Sequence, residues 1–440
     1  MTLATIDPAS RPRSPARQAR LPDDAARRRG VMAAIIGNTL EFYDFTTYAF
    51  FAVTIGRTFF PVGDTWLSLL ASVATFGVGF VTRPVGAVVI GAYADRSGRK
   101  PAMMLSVGLM ALGMLMLALT PGYATIGMAA PVLIVIGRLI QGFALGGEVG
   151  PSTAYLIENA PADRRGLYAS WQVASQGLAT LGAGAIGLVL SLGLTPEQMQ
   201  DWGWRIPFLL GLLIVPAGLY IRRAMPETAA AVAGSTNQAV LRRLVRAHGG
   251  RLALMVPLVL CGTVSANVGN YMTTYAIATL KLPGSLAITA TVVVGISVAT
   301  SALLGGWLAD RVGRRPVMIV PRLLLTLAAY PAFLLLTRAP GAATLLGLSA
   351  LLAVLGTLSS TASLVAMVEM LPRSVRSAGL SVVWAFTVLV FGGTTQFVVT
   401  WLIGVTGDPL APGYYLMATG LLGIAAMLAM SETKGAALVE

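Results

Sequence analysis

The chain has 440 residues, of which 56% are hydrophobic and only 11% charged, with a mean hydropathy of +0.76. So few charges cannot build a water-soluble surface of ordinary size, and a multi-span membrane protein is expected. The net charge of +13 does not point to nucleic acid, because the basic residues fall in the breaks between apolar runs and lack the interleaved aromatics of a binding surface.

The first thirty residues are rich in Arg, Pro and Ala, with no apolar stretch before a small-residue cleavage site. They read as a disordered cytoplasmic tail rather than a cleaved signal. Beyond them, apolar runs of about 18 to 25 residues mark twelve spans. Their limits are 31–53, 66–93, 101–120, 128–156, 167–194, 204–222, 252–280, 285–308, 316–337, 341–368, 378–404 and 412–430. The longest break, 223–250, is read as a cytoplasmic linker between an N-terminal six-helix bundle (31–222) and a C-terminal one (251–430), with 431–440 a cytoplasmic tail. Most of the 31 Lys and Arg lie in the tails, the linker and the breaks that share their side, which puts both termini in the cytoplasm.

The first span carries Asn38, Glu41 and Asp44, with Tyr48 beyond, at spacings that share one helical face. Two carboxylates so placed repel if both are ionised, so one of them is suited to holding a proton. The alternative is a structural pair that neutralises Arg83 or Arg138 with no proton change. The second span is interrupted by one cation, Arg83, roughly 15–18 Å along the helix from Asp95. A charge at that depth costs several kcal/mol on insertion scales, so it requires a partner. Arg83 and, in span four, Arg138 are candidate readers of a substrate carboxylate, or members of salt bridges. Glu148 lies ten residues past Arg138 among glycines. It is a further candidate for coupling, or an acid anchored by a neighbouring span.

Span five offers Gln172 and Gln176, one helical turn apart, as candidate cavity-lining groups. DWGWRIPF (201–208) reads as an interfacial entry to span six, with Trp202 and Trp204 at headgroup level and Arg205 paired with Asp201 or lipid phosphate. The lone His248 is placed in a basic surface loop, and the single Cys261 excludes an intrachain disulfide, so no metal site is expected. The second half shows almost no ionisable residue at depth and presents neutral groups, Asn267, Asn270 and Thr274 among them. Each is a candidate substrate contact or interhelical glue.

The two halves are related. DRSGRKP (95–101) matches DRVGRRP (310–316), and Glu158, Pro161 and Arg165 recur at the same spacing as Glu369, Pro372 and Arg376. Two motifs repeating in one order identify an internal duplication. In each loop a glycine, Gly98 or Gly313, permits a tight turn, while Asp95, Arg96 and Arg99, and Asp310, Arg311 and Arg314, can pair with each other or with helix ends.

GAYADRSGRKP and WLADRVGRRP resemble the loop motif of the major facilitator superfamily, and GRLIQGFALGGEVG (137–150) resembles its fourth-helix motif. GNTLEFYDFTTYAFF, RPVGA, SWQVASQ and DWGWRIPF are similar to the metabolite–proton symporter group, and AGLSVVWAFTVLVFGG with TGDPLAPGYY is most similar to the citrate–proton symporters of bacteria. The resemblance covers nearly all of 31–430. It implies an all-α membrane protein with twelve transmembrane helices in two pseudo-symmetric bundles, and a monomeric inner-membrane symporter rather than an enzyme. Such a protein imports a small organic anion such as citrate with protons by alternating access, with the DRSGRKP-type loops as a latch between halves. Dicarboxylates, shikimate, or zwitterions such as proline and betaine remain open as substrates, as does Na⁺ in place of H⁺; drug efflux and a non-transporting receptor are weaker alternatives. No phosphate-cradling loop is present, so neither ATP coupling nor any cofactor is expected.

Overall fold

The computed structural model describes residues 24–97, 99–145, 153, 156–157, 160–161, 163–216, 238–372 and 375–435. Among these, eight helices are long and apolar enough to cross a bilayer: Thr65–Ile90, Arg165–Gly193, His248–Ala278, Gly284–Val312, Arg314–Arg338, Ala342–Glu369, Gly379–Thr406 and Ala411–Ala429. They are spans two, five and seven to twelve. The shorter apolar helices Met104–Leu119, Ala129–Ala144 and Gly203–Pro216 supply spans three, four and six. Span one, Asp24–Phe50, is followed by Ala52–Phe59 and is less apolar because it carries Glu41 and Asp44. Among the described residues these make twelve spans in two bundles, and large apolar side chains such as Val88, Leu192, Leu327 and Leu421 are exposed outward, where lipid replaces water.

Three boundaries differ from the sequence expectation. The first helix begins at Asp24, inside the stretch read as a disordered tail, because the alanines and arginines of 25–29 favour helix and extend span one past its apolar part. The linker read as 223–250 is helical from Gln238, and His248, read as a loop residue, is the single non-helical position (φ −129°) where that helix joins span seven. Span two is interrupted at Thr82, whose hydroxyl donates to the Leu139 carbonyl of span four at 2.7 Å. Gly142 of span four packs on the backbone of Gly79, a contact that leaves no room for a side chain, so spans two and four run in direct backbone contact beside Arg138.

The expected interfacial role of 201–208 also changes. Trp202 stays 47% exposed, but Trp204 is fully buried against Phe59 and Phe208. Arg205 donates to the carbonyls of Ala118 and Thr120, both at 2.8 Å, and so caps the end of span three instead of pairing with Asp201.

The expectation that the C-terminal half shows almost no ionisable residue at depth passed over Arg322. Eight residues into span nine, it is 1% exposed and holds Cys261 O (3.1 Å) and Ser265 Oγ (2.7 Å) of span seven, and Ser359 Oγ and Ser360 Oγ (both 3.2 Å) of span ten. One guanidinium thus ties three helices through neutral oxygens. In sequence it lies just after DRVGRRP, where it reads as one more basic residue of the loop.

Candidate functional site

Helical spacing builds the centre of the N-terminal half. Phe76, Phe80 and Arg83 recur at i, i+4 and i+7 in span two, Glu41, Asp44, Phe45 and Tyr48 share a side of span one, and Arg138 and Gln141 are one turn apart in span four. Asp44 is 1% exposed and Arg138 is fully buried. Arg138 Nη1 donates to Asp44 Oδ2 at 3.1 Å and to Gln141 Oε1 at 2.7 Å, while Gln141 Nε2 donates to Asp44 Oδ1 at 3.0 Å. The three side chains close a ring in which each holds the other two. The guanidinium also lies over the rings of Phe45 (4.8 Å), Tyr48 (4.6 Å) and Phe76 (5.6 Å), so its free edge meets π faces instead of hydrocarbon.

Arg83 is arranged differently. Its guanidinium carbon stands 4.4 Å from the Phe45 ring centre and 4.2 Å from that of Phe80, and its Nε is buried with no hydrogen-bond partner among the described residues. Glu41, 5% exposed, is near enough to act on it electrostatically, as is Arg138 with the opposite sign. Phe45 is therefore shared by both cations. Arg83 has aromatic support and a nearby acid, whereas Arg138 has a locked carboxylate.

The other polar candidates are largely engaged. Tyr48 donates its hydroxyl to the Ser72 carbonyl at 3.1 Å and is fully buried. Gln172 donates from Nε2 to Asn38 Oδ1 (2.9 Å), while Asn38 donates to the Gln172 carbonyl (3.0 Å) and Ser175 Oγ (2.5 Å). That pair ties span one to span five; Gln176 is half-buried one turn on, its carbonyl accepting from Thr180. Asn267 donates to Thr263 O at 2.9 Å, Asn270 is half-buried, and Thr274 is fully buried with its hydroxyl unpartnered among the described residues. Glu148 and Gly98 lie outside the described residues, as do the side chains of Asp95, Arg96 and Arg99.

The second of the repeated loops, DRVGRRP, is fully described. Asp310 accepts the backbone N–H of Gly166 (2.8 Å) and Leu167 (2.9 Å), so an acid of the C-terminal half caps the first turn of span five in the N-terminal half. Arg314 lies 3.4 Å from Asp310 and grips Glu369 with two hydrogen bonds, at 2.8 and 3.0 Å. Gly313 turns the chain at φ +122°, a conformation suited to glycine, with the Glu432 carboxylate 2.9 Å from where a Cβ would stand. Arg311 is exposed over Trp307.

Glu432 accepts the N–H groups of Arg314 (2.8 Å), Arg315 (2.9 Å), Thr433 (3.0 Å) and Lys434 (2.9 Å). Burial works against its charge, but the four donors outweigh that and hold its carboxyl below the usual range. Thr433 donates to Glu369 at 2.6 Å. At the opposite end of the seam, Trp66 Nε1 of span two donates to Thr400 O of span eleven at 3.2 Å.

Gln141, the Phe45–Phe76–Phe80 cluster and the Glu432–Thr433 clamp were not singled out in the sequence. Gln141 and Phe80 had a signal, since each sits one turn from the arginine it contacts, whereas Phe45 and Phe76 reach arginines on other spans. The clamp lies past the last apolar span, where spacing carries no information.

Two six-helix bundles around buried charge, with a loop acid of one capping a helix of the other, define a membrane transporter of the major facilitator fold. In keeping with this, the xylose transporter XylE of E. coli, in a partially occluded inward-open conformation, superposes with a TM-score of 0.72 over 94% of this chain and all of its own, at 18% identity. The chain belongs to the sugar (and other) transporter family, whose profile matches residues 30–231 and 223–440. It is 37% identical to a citrate-proton symporter of Klebsiella pneumoniae, covering 94% of each chain, and 36% identical to one of Salmonella typhi, covering 93% and 97%. A proline/betaine transporter of Salmonella typhimurium is 30% identical over 93% of this chain and 85% of its own.

Proposed function

We propose that this chain is a monomeric proton symporter of the bacterial inner membrane, both termini cytoplasmic, that imports an organic anion by alternating access, with citrate or a related tricarboxylate as substrate. The observation that carries the reading is Arg83: a half-buried guanidinium supported by two ring faces, with an acid in electrostatic range and a buried Nε without a hydrogen-bond partner among the described residues. A substrate carboxylate supplies the bidentate partner that the rings do not. Asp44 and Glu41 are the groups that take up and release the proton. When Asp44 is neutral, Arg138 loses its counter-ion and the local field favours an anion; when the anion leaves, the ring re-forms. Substrate and proton then bind cooperatively through charge alone. Similarity to two citrate-proton symporters along nearly their whole length supports the choice of substrate. The proline/betaine relative favours one alternative, a zwitterion whose carboxylate meets the same arginine.

The test is uptake of labelled citrate, succinate, proline and betaine into proteoliposomes under an imposed pH gradient, with sodium present or replaced, for the wild type and Arg83→Ala. Citrate uptake that follows the pH gradient without sodium, and is lost in Arg83→Ala, is the expected result. Uptake indifferent to the gradient sinks proton coupling, and normal uptake by the variant removes Arg83 from the site.

A further inference from the structure

Hydroxyl groups inside a helix bundle ordinarily find a partner, and Thr47, Thr75 and Thr326 show the usual one, each donating to the carbonyl four residues back. Ser72, Thr274 and Gln396 depart from this. All three are fully buried, and Ser72 Oγ, Thr274 Oγ1 and both ends of the Gln396 amide lack a hydrogen-bond partner among the described residues. Gln396 is the most demanding, because its amide offers two donors and an acceptor. Such a group in an apolar interior is answered at some stage of a working cycle by water, by the other conformation or by a ligand.

Its place in the fold selects among these. Gln396 stands one turn past the π-helical segment Val388–Gly392 of span eleven, an irregularity that recurs at functional sites. Two contacts with span two, Gly393 against Gly77 and Gly404 against Trp66, bring Gln396 to the level of Ala74, two residues from Ser72. Two contacts with span seven, Gly392 against Thr263 and Thr400 Oγ1 on the Tyr271 hydroxyl at 3.0 Å, bring it level with Asn267. Its neighbour Phe397 packs on the cluster of Val53, Leu69 and Val73 from the other half. The amide therefore lies in the seam between halves, on the side closed by Trp66. Parting of the bundles at that end would uncover it.

We infer that Gln396 is a specificity-determining residue of the substrate site, one that reads a hydroxyl together with a carboxylate. The Nε2–H donates to a carboxylate oxygen. Oε1 needs a donor, which an ionised carboxylate lacks and an alcohol supplies, so a hydroxy-tricarboxylate satisfies both ends where the same acid without its hydroxyl leaves one unmade. This rests on the carboxylate-symporter reading above and deepens it.

The experiment is competition against labelled citrate uptake by unlabelled citrate and by propane-1,2,3-tricarboxylate, which differs from citrate only in the missing hydroxyl, in the wild type and Gln396→Met. The wild type should favour citrate by about tenfold or more, and the variant, which loses the carboxylate contact for both acids but the hydroxyl contact for citrate only, should bring the two within about threefold by weakening citrate more. Equal competition in the wild type, or an unchanged ratio in Gln396→Met, overturns the assignment while leaving citrate transport standing. A wild type that takes up no citrate overturns the parent reading instead. If Gln396→Met folds poorly, Gln396→Cys in a Cys261→Ser background gives a second readout. Saturating citrate should slow its reaction with a membrane-impermeant maleimide, and a rate indifferent to citrate overturns the placement.

Discussion

Replacing Asp44 by alanine strands Arg138. At 3.1 Å and an effective dielectric near 20, the attraction lost is about 5 kcal/mol. Because both side chains are already out of water, the net cost is that of an uncompensated buried charge, about 3–5 kcal/mol. The reverse change, Arg138→Met, should cost less, about 1–2 kcal/mol, because a lone carboxyl in an apolar setting can take up a proton while a guanidinium cannot lose one. The double variant Asp44→Ala/Arg138→Met removes the charge altogether, and buried pairs exchanged for apolar groups are often near neutral. The thermal midpoints of the purified proteins in detergent should therefore rank wild type first, the double variant and Arg138→Met next, and Asp44→Ala last. More than half of the Asp44→Ala loss should be recovered in the double. A double variant less stable than Asp44→Ala, with the two losses simply adding, would falsify the argument that the pair acts as one unit.

Asp310→Ala removes two hydrogen bonds that cap span five across the seam, worth about 1–2 kcal/mol. The fraction of molecules open at that end, read by spin-label distances across it, should rise by roughly tenfold. Glu432 has its carboxyl held down by four N–H donors, so its stabilising effect is present above the unfolded value and is lost as pH falls through the folded one. Melting curves of wild type and Glu432→Gln should differ at pH 7 and converge at acid pH; a constant gap would refute this. Arg322→Met breaks hydrogen bonds to four oxygens and should lower stability by about 1–3 kcal/mol, while leaving the pH dependence of uptake unchanged.

The spans and their duplication were legible because lipid demands uninterrupted apolar length, and a doubled DRxGR motif survives as a pattern in one dimension. Asp44 and Arg138 were legible as costly charges. Their pairing was not, because Glu41, Asp44, Arg83 and Arg138 permit several matches, and the choice is made by the depth at which span four meets span one. There Gln141 locks Asp44 to Arg138, and Phe45 and Phe80 take Arg83. The sequence offered Gln172 as a cavity-lining group, and its hydrogen bonding to Asn38 is visible only in the packing of spans one and five. Polar residues that line a path and those that glue helices have the same spacing, so periodicity alone does not separate them.

Arg322 sharpens why the proposed coupling places charge movement in the N-terminal half even though both halves bury a cation. A buried arginine can take part in coupling only if something beside it changes charge, since the guanidinium itself does not. Arg138 meets that condition through Asp44, and Arg83 through Glu41. The partners of Arg322 are two carbonyl-type and hydroxyl positions in span seven and two serines in span ten, none of which titrates in the working range. Its positive charge is therefore constant through the cycle, and it holds spans seven, nine and ten as one rigid piece. Against that half, the proposed coupling would change the internal charge of the N-terminal half, and the seam lined by Asp310 at one end and by Trp66 at the other is where such a change would become movement.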